Sequence, residues 1–228
     1  MTIKNDTIWV IIPAYNEARM IDKVVDEVKR LFPNVLVIDD CSNDHTARNA
    51  RSAGARVLRH PINLGQGAAL QTGFEYALAA GASHIVTFDA DGQHHIEDVP
   101  RMLEALAESG ADLALGSRFL GTTIGMTEGR RRLLQAATYF TKLTTGLSLS
   151  DCHNGLRVLT AKAVKALNLR QNRMAHASEI LSGIRQHHLS YVEVPVTISY
   201  TQYSRQKGQT FSDAFVIFRD LIAVKLAS

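Results

Sequence analysis

The chain has 228 residues, 46% of them hydrophobic, with a formal net charge of +3. That is enough apolar material for one sizeable core, and the charge is too small to indicate nucleic acid as a partner. The two cysteines, Cys41 and Cys152, stand far apart in polar segments, which argues against a disulfide framework and for a reducing compartment.

The first stretch, "MTIKNDTIWVIIPAYNE", lacks the apolar core of a secretory signal. No run approaches the roughly 20 apolar residues that span a bilayer. Ile8 to Ile12 is β-branched and apolar and stops at Pro13, so it reads as a buried strand. A helix follows from about Glu17 to Leu31, with Ile21, Val24, Val25, Val28 and Leu31 spaced along one face. "VLVIDD" (35–40) is a second strand, and "SNDHTARNARSAG" turns into a helix that Gly54 can stop. "RVLRH" is a third strand. "NLGQGAALQTGFEYALAAG" is a glycine turn and a helix burying Leu70, Phe74, Ala77 and Leu78. "HIVTFDAD" is a fourth strand, "IEDVPRMLEALAESG" a helix, and "DLALGSR" a fifth strand.

Strands and helices alternate with a period of about 20 to 30 residues. The strands are continuous apolar runs, which favours a parallel sheet covered on both faces. Ligands of such sheets bind beyond the carboxyl ends of the strands, and there the polar residues collect: "PAYNE", Asp39-Asp40, Asp89 with Asp91, and Ser117-Arg118. After Arg118 the rhythm changes. "TEGRRRLLQAATYFTKLTTG" reads as a basic amphipathic helix, and "DCHNGLRVLT" as a loop entering a short strand. A helix near Ser178–Gln186, the strand "YVEVPVTISY", the polar "TQYSRQKGQT" and a last helix complete the chain. No linker or internal repeat divides it. The expectation is one domain over 1–228, made of a first part at about 8–120 and a distinct second part at about 121–228.

Asp89 and Asp91 close an apolar strand with two carboxylates one residue apart. Such hard oxygen ligands suit Mg²⁺ or Mn²⁺, which take the rest of their coordination from water and substrate phosphate. The plainer alternative is a helix cap or Asx-turn. His94 and His95 are weighed as imidazole ligands against solvated loop residues, and the latter is favoured. "NLGQG" carries G-x-G before a helix, a weak phosphate-loop signal that a tight turn explains equally well.

Taken in order, "VIIPAYNEARMI", "VLVIDDCSNDHT", "NLGQGAALQTG", "TFDADGQHHIEDV", "LGSRF", "DCHNGLRVLT" and "EVPVTISYTQYSRQKGQT" resemble family 2 glycosyltransferases of the GT-A fold, in the branch of polyprenol- and dolichol-phosphate mannosyl- and glucosyltransferases. The resemblance runs from about Trp9 to Thr210. It implies an α/β, Rossmann-like, mostly parallel sheet with helices on both faces and a C-terminal acceptor-side extension. It implies transfer of a sugar, with inversion, from a donor of the GDP-mannose or UDP-glucose type to polyprenyl phosphate. By that resemblance Pro13, Tyr15 and Glu17 line the nucleotide pocket and Asp40 contacts base or ribose. Asp89 and Asp91 hold Mg²⁺ or Mn²⁺, with Gln93 as a third metal-side residue, and Asp89 also serves the nucleotide. Arg118 and a member of Arg130–Arg132 grip the acceptor phosphate, with Arg131 taken as catalytic beside Asp91 and Arg118. Arg130, Arg205 and Lys207 belong to the loops that meet acceptor and donor.

Two positions depart from the family pattern. Cys41 replaces the glycine of D-G-S and is comfortable only at negative φ. His153-Asn154-Gly155-Leu156-Arg157 stands where T-S-G-F-R is usual. A hydroxyl acceptor on a nascent glycan would need a base, for which Asp151 and Glu179 are the available carboxylates, each read first as structural. A degenerate member that binds a nucleotide sugar without turnover is the remaining alternative within the family. A nucleotidyltransferase is disfavoured because "PAYNE" occupies the place of its glycine-rich loop. A receiver-type signalling domain is disfavoured because it would leave the last third unexplained. The expected location is cytoplasmic. A peripheral contact of the 128–145 helix with the cytoplasmic membrane face is left open, as is an oligomer.

Overall fold

The apolar runs pair side by side because each has both faces to bury. The computed structural model describes residues 3–169, 176–201 and 203. Its strands are β1 (Ile8–Ala14), β2 (Asn34–Asp39), β3 (Arg56–Arg59), β4 (His84–Thr87), β5 (Leu113–Ile124), β6 (Arg157–Thr160) and β7 (Tyr191–Ser199). They form one seven-stranded sheet in the order β3-β2-β1-β4-β6-β5-β7. Every pairing is parallel except those of β6, which lies antiparallel to both β4 and β5.

The helices are α1 (Ile21–Lys29), α2 (Thr46–Ser52), α3 (Gln66–Ala79), α4 (Asp98–Ser109), α5 (Glu128–Thr145), α6 (Ala161–Leu167) and α7 (His176–Gln186). Alternation along β1 sorts them. Ile8, Val10 and Ile12 join Val24, Val25 and Val28 of α1 and Val99, Met102 and Leu106 of α4 in one apolar layer. Trp9 and Ile11 join Leu70 and Phe74 of α3, Val164 of α6 and Ile180 of α7 in the other. Two-sided burial is why the strands lack polar alternation. The outer edge of β7 is partly covered, since Asp98 accepts from Thr197 N at 2.7 Å and Arg101 donates to Pro195 O at 2.5 Å. Such cover blunts an edge that could otherwise pair with another chain.

Several boundaries differ from the sequence reading. Residues 17–20 form a turn and α1 starts at Ile21. The fourth strand stops at Thr87, which leaves Asp89 and Asp91 in the following loop. The fifth runs on to Ile124 past an irregularity between Ser117 and Thr122. Helix α6 was not anticipated; Thr160 caps it by accepting from Ala163 N. Phe211, Phe215, Phe218 and Ile222 of the expected last helix lie outside the described residues, as do Arg205 and Lys207.

Helix α3 sits unusually close to β1 at Gly73, where a Cβ would lie 2.3 Å from Ile11 Cγ2. Gly73→Ala should therefore cost about 1–3 kcal/mol through overpacking, despite a helix-propensity gain of up to about 1 kcal/mol. Urea unfolding checks it: the midpoint should fall at unchanged slope, and an unchanged midpoint would show that α3 can back away freely.

Candidate functional site

β1, β2 and β4 are parallel neighbours, so their carboxyl ends open on one edge of the sheet. The loop after β1 is sewn to the loop after β2. Asn16 N donates to Ser42 Oγ at 2.9 Å, Asn43 N to Asn16 Oδ1 at 2.9 Å, Glu17 N to Thr46 Oγ1 at 2.8 Å and Ala18 N to Asp44 Oδ2 at 3.1 Å. Tyr15 projects from this seam, exposed, and Pro13 is half-buried beneath it. Glu17 is buried and accepts a hydrogen bond from Tyr203 Oη at 2.7 Å. Arg19 lies over the Tyr203 ring. Tyr203 therefore packs against the loop after β1.

Asp40, expected at the base or ribose, is only 3% exposed. Its oxygens face His60 Nδ1 at 2.7 Å, Leu64 N at 2.9 Å and Gly65 N at 2.6 Å. His60 is braced in turn by Thr72 at 3.0 Å. The carboxylate shapes the 61–65 turn from beneath instead of reaching outward. Gly65, with φ of 91°, is the N-cap of α3, and its N–H is spent on Asp40. The G-x-G is thus a tight turn tied to a carboxylate. Cys41 takes φ of 62°, the left-handed region that a side chain disfavours. The condition of negative φ is not met.

Asp89 and Asp91 sit in the loop after β4. Asp89 Oδ1 accepts from Gln66 Nε2 at 3.1 Å, and Oδ2 faces His94 Nε2 at 2.8 Å. The Gly155 backbone presses on the same carboxylate, and a Cβ there would stand 2.2 Å from Oδ2. Asp91 accepts from Gln93 N at 3.0 Å and Gln93 Nε2 at 2.6 Å. Burial, and then the charge of Asp89, push the Asp91 carboxyl up to about 6. The donor chemistry fits a hard divalent cation: two mutually repelling carboxylates and an amide that can turn its oxygen inward. Among the described residues no group of three His, Cys, Asp or Glu side chains forms a metal cage. Mg²⁺ and Mn²⁺ at phosphate sites need none, because substrate oxygens complete their coordination.

On the β5 side, Arg118 is 8% exposed and committed in two directions. Its Nε donates to Asp151 Oδ2 at 2.5 Å and its Nη1 to Tyr200 Oη at 2.8 Å, while Arg118 N also donates to Asp151 at 3.0 Å. Asp151 is therefore a partner of Arg118, as its structural reading anticipates. The Arg130 guanidinium lies 4.8 Å from the Tyr200 ring centroid. Arg131 is exposed, and Arg132 pairs with Glu128 on the outer surface of α5. Of the three arginines, Arg130 is the one shown against the Arg118–Tyr200 cluster. Glu179 lies on α7.

Sequence reasoning missed several residues here. His94 is 6% exposed, against Asp89 and edge-on to Phe88, not a solvated loop residue. His95 faces Ser199 at 2.8 Å. Gln66, Gly155, Tyr200 and Tyr203 also enter. The glycine of "HNGLR" was a readable signal, since a backbone that must approach another group closely favours glycine. The contacts of Tyr200 and Tyr203 are long-range and left no local pattern.

The model of the family described as glycosyl transferase family 2 matches residues 9–167. The UDP-N-acetylglucosamine–dolichyl-phosphate N-acetylglucosaminyltransferase of Methanococcus voltae is 31% identical, over 96% of this chain and 96% of its own. The polyprenol monophosphomannose synthase of Mycolicibacterium smegmatis is 31% identical, over 90% of this chain and 83% of its own. The crystal structure of glucosyl-3-phosphoglycerate synthase from Mycobacterium tuberculosis, in complex with Mn²⁺, UDP and phosphoglyceric acid, superposes with a TM-score of 0.76 at 22% identity, covering 97% of this chain and 78% of that one. That likeness shows the GT-A fold.

Two predictions follow from the loop geometry. Cys41→Gly relieves left-handed strain of about 1–2 kcal/mol, partly offset by glycine's greater unfolded entropy. Tm should rise by about 2 °C, and a fall would show that the contact of Cys41 Sγ with Pro61 O matters more. For Asp91, the folded carboxyl keeps its proton up to about pH 6, while an unfolded aspartate loses it near pH 3.9. The charge penalty is thus absent below about pH 4 and fully present above about pH 6. In metal-free protein Asp91→Asn should raise Tm at neutral pH, with the gain fading on acidification through that window. A gain independent of pH would contradict this account.

Proposed function

The chain belongs to glycosyl transferase family 2, and from that premise we propose that it moves a sugar from a nucleoside-diphosphate sugar, with inversion, onto the phosphate of a polyprenyl phosphate. One observation carries the reading. A carboxylate pair after β4 and an arginine cluster on β5 and α5 lie at the same end of the sheet, joined by the 151–157 segment that touches both Asp89 and Arg118. Carboxylates on the donor side and guanidinium groups on the acceptor side are the charges this transfer needs.

Pro13, Tyr15 and Glu17 would line the nucleotide. Asp40 would act from below by fixing the turn that opens α3. Asp89 and Asp91, with Gln93 beside them, would hold Mg²⁺ or Mn²⁺. When bound, that cation neutralises charge developing on the leaving diphosphate. His94 and Gln66 would orient Asp89 as outer partners orient metal ligands. The acceptor phosphate is anionic and nucleophilic already, so it needs positioning more than a general base. Arg118 and Arg130 stand on that side of the site and would contribute to the positioning. The acceptor oxygen forms its bond to the anomeric carbon as the bond to the diphosphate breaks, which inverts that centre. A UDP-sugar is the favoured donor, on the strength of the dolichyl-phosphate relative and the UDP-bound structural neighbour. Arg205 and Lys207, outside the described residues, would meet the donor. The whole chain would act as one unit.

No helix among the described residues is long and apolar enough to cross a membrane. The outer face of α5 nevertheless presents Leu133, Tyr139 and Leu143, the last two 65% exposed, beside Arg131 and Arg132. Such a face suits a peripheral contact with an anionic bilayer, where a lipid-linked acceptor would be met.

Calorimetric titration with UDP and GDP, each with and without Mn²⁺, tests the donor side. UDP binding should strengthen with Mn²⁺, and Asp91→Ala should weaken it by at least about tenfold. Tighter binding of GDP would move the donor to the guanosine class. No metal-dependent binding of either nucleotide to folded protein would end the reading. Transfer of labelled sugar to a short-chain isoprenyl phosphate is the matching acceptor assay.

A further inference from the structure

Arg157 opens β6 at the site end, opposite Thr87 of β4 and Leu115 of β5. It is 4% exposed. Among the described residues no oxygen accepts a hydrogen bond from its guanidinium, and no carboxylate forms an ion pair with it. A buried guanidinium keeps its charge in a protein and has five N–H donors to satisfy. Leaving it unmatched is costly, so an unmatched one needs a reason.

The charges around it do not supply that reason. Burial holds the Arg157 guanidinium below its ordinary value, while Asp89 first and then Asp151 act to raise it. Both carboxylates are already served. Asp89 takes Gln66 and His94, and Asp151 takes Arg118 N and Nε on one oxygen and His153 N on the other. A second donor in the same loop is also unmatched: Asn154 Nδ2 is buried without a partner. Asn154 Nδ2 and the Arg157 guanidinium thus lie within four residues of one another without a protein acceptor among the described residues, beside Asp89 and the Arg118–Asp151 pair.

We propose that Arg157, with Asn154, is the principal ligand of the acceptor's phosphate monoester, and that Arg118, already engaged by Asp151 and Tyr200, shapes the wall of that subsite. This rests on the glycosyl-transfer reading of the same site. The planar guanidinium would hold two phosphate oxygens at once and leave the third toward the sugar donor. The same chemistry serves a lipid phosphate or a small soluble phosphorylated acceptor.

The experiment follows Tm and calorimetric binding for wild type, Arg157→Met and Arg157→Lys, with UDP and Mn²⁺ present. The probes are inorganic phosphate, 3-phosphoglycerate and a water-soluble isoprenyl monophosphate. Wild type should be stabilised by phosphate monoesters. Arg157→Met should lose that shift, keep its UDP affinity and, probe-free, melt no lower than wild type, because a mere buried charge has been replaced by packing. Arg157→Lys should bind the monoester about tenfold more weakly, having a point charge in place of a fork. A larger shift with the isoprenyl phosphate marks a lipid acceptor, and one with phosphoglycerate a soluble one; each supports the subsite. Undiminished monoester binding in Arg157→Met, a large probe-free loss of Tm in both variants, or loss of UDP affinity in place of phosphate affinity would each overturn it. Wild type that binds the monoester yet transfers no sugar to it would defeat the polyprenyl-phosphate reading and leave the subsite standing.

Discussion

The contact on which the rest of the site depends is the Asp89 carboxylate against the Gly155 backbone. A Cβ at position 155 would overlap both oxygens, at 2.2 and 2.9 Å. Around that contact meet the loop after β4, the first residue of α3 through Gln66, and the strand opening at Arg157. Thr87 reinforces the junction by donating to Gly155 O at 2.6 Å. The loop after β4 and the 151–157 loop are thereby held against one another, by a carboxylate packed on backbone and by a side-chain hydrogen bond to that backbone. Close approach of this kind is what glycine permits.

The layout of charge follows. Negative groups gather after β1, β2 and β4, but they do different things. Asp39 and Asp40 are buried and bonded inward, Asp39 beside Arg59 at 3.1 Å, while Asp89 and Asp91 are only half-buried. The inward pair maintains the turns on which the outward pair stands. Positive charge on the β5 side is divided in the same way. Arg118 is held by Asp151 and Tyr200, and Arg130 stacks on that tyrosine. A buried ion pair is weak evidence for stability, since desolvation offsets most of the Coulomb gain. The Arg118–Asp151 pair makes better sense as a fixture of position.

Much of this was legible in the sequence, for identifiable reasons. Strands buried on both faces leave unbroken apolar runs, so β1, β2 and β4 were readable, and α1 and α4 show their buried stripe. The acidic residues at strand ends were visible because polar groups are conspicuous after such runs. What failed was local in appearance and tertiary in cause. Helix α6 hid behind a four-residue strand, although Thr160 and the helix formers after it are a fair cap signal. The antiparallel sense of β6 has no mark in a segment so short. His94 resembles its neighbour His95 in sequence and differs only in what folds over it. Asp40 was identified by motif, but which way a carboxylate points depends on Leu64, Gly65 and His60, some twenty residues away. Arg131 and Arg130 differ by one helical step, about 100° of rotation, which a run of three arginines does not reveal.

The position of β6 also bears on how the protein is made. Strands β3, β2, β1 and β4 form one block from the first part of the chain, and β5 with β7 forms another; only β6 joins them. As synthesis proceeds from the N-terminus, the flank of β4 and the flank of β5 both exist before residues 157–160 are available to fill the space between them. Until then the facing flanks of β4 and β5 stay open, the kind of surface that pairs wrongly with neighbours. Gly155 reaches Asp89 in the same closing step. That insertion of four residues joins the two parts of the sheet and brings the acidic loop against the 151–157 segment, and β7, later still in the chain, then covers the far flank of β5.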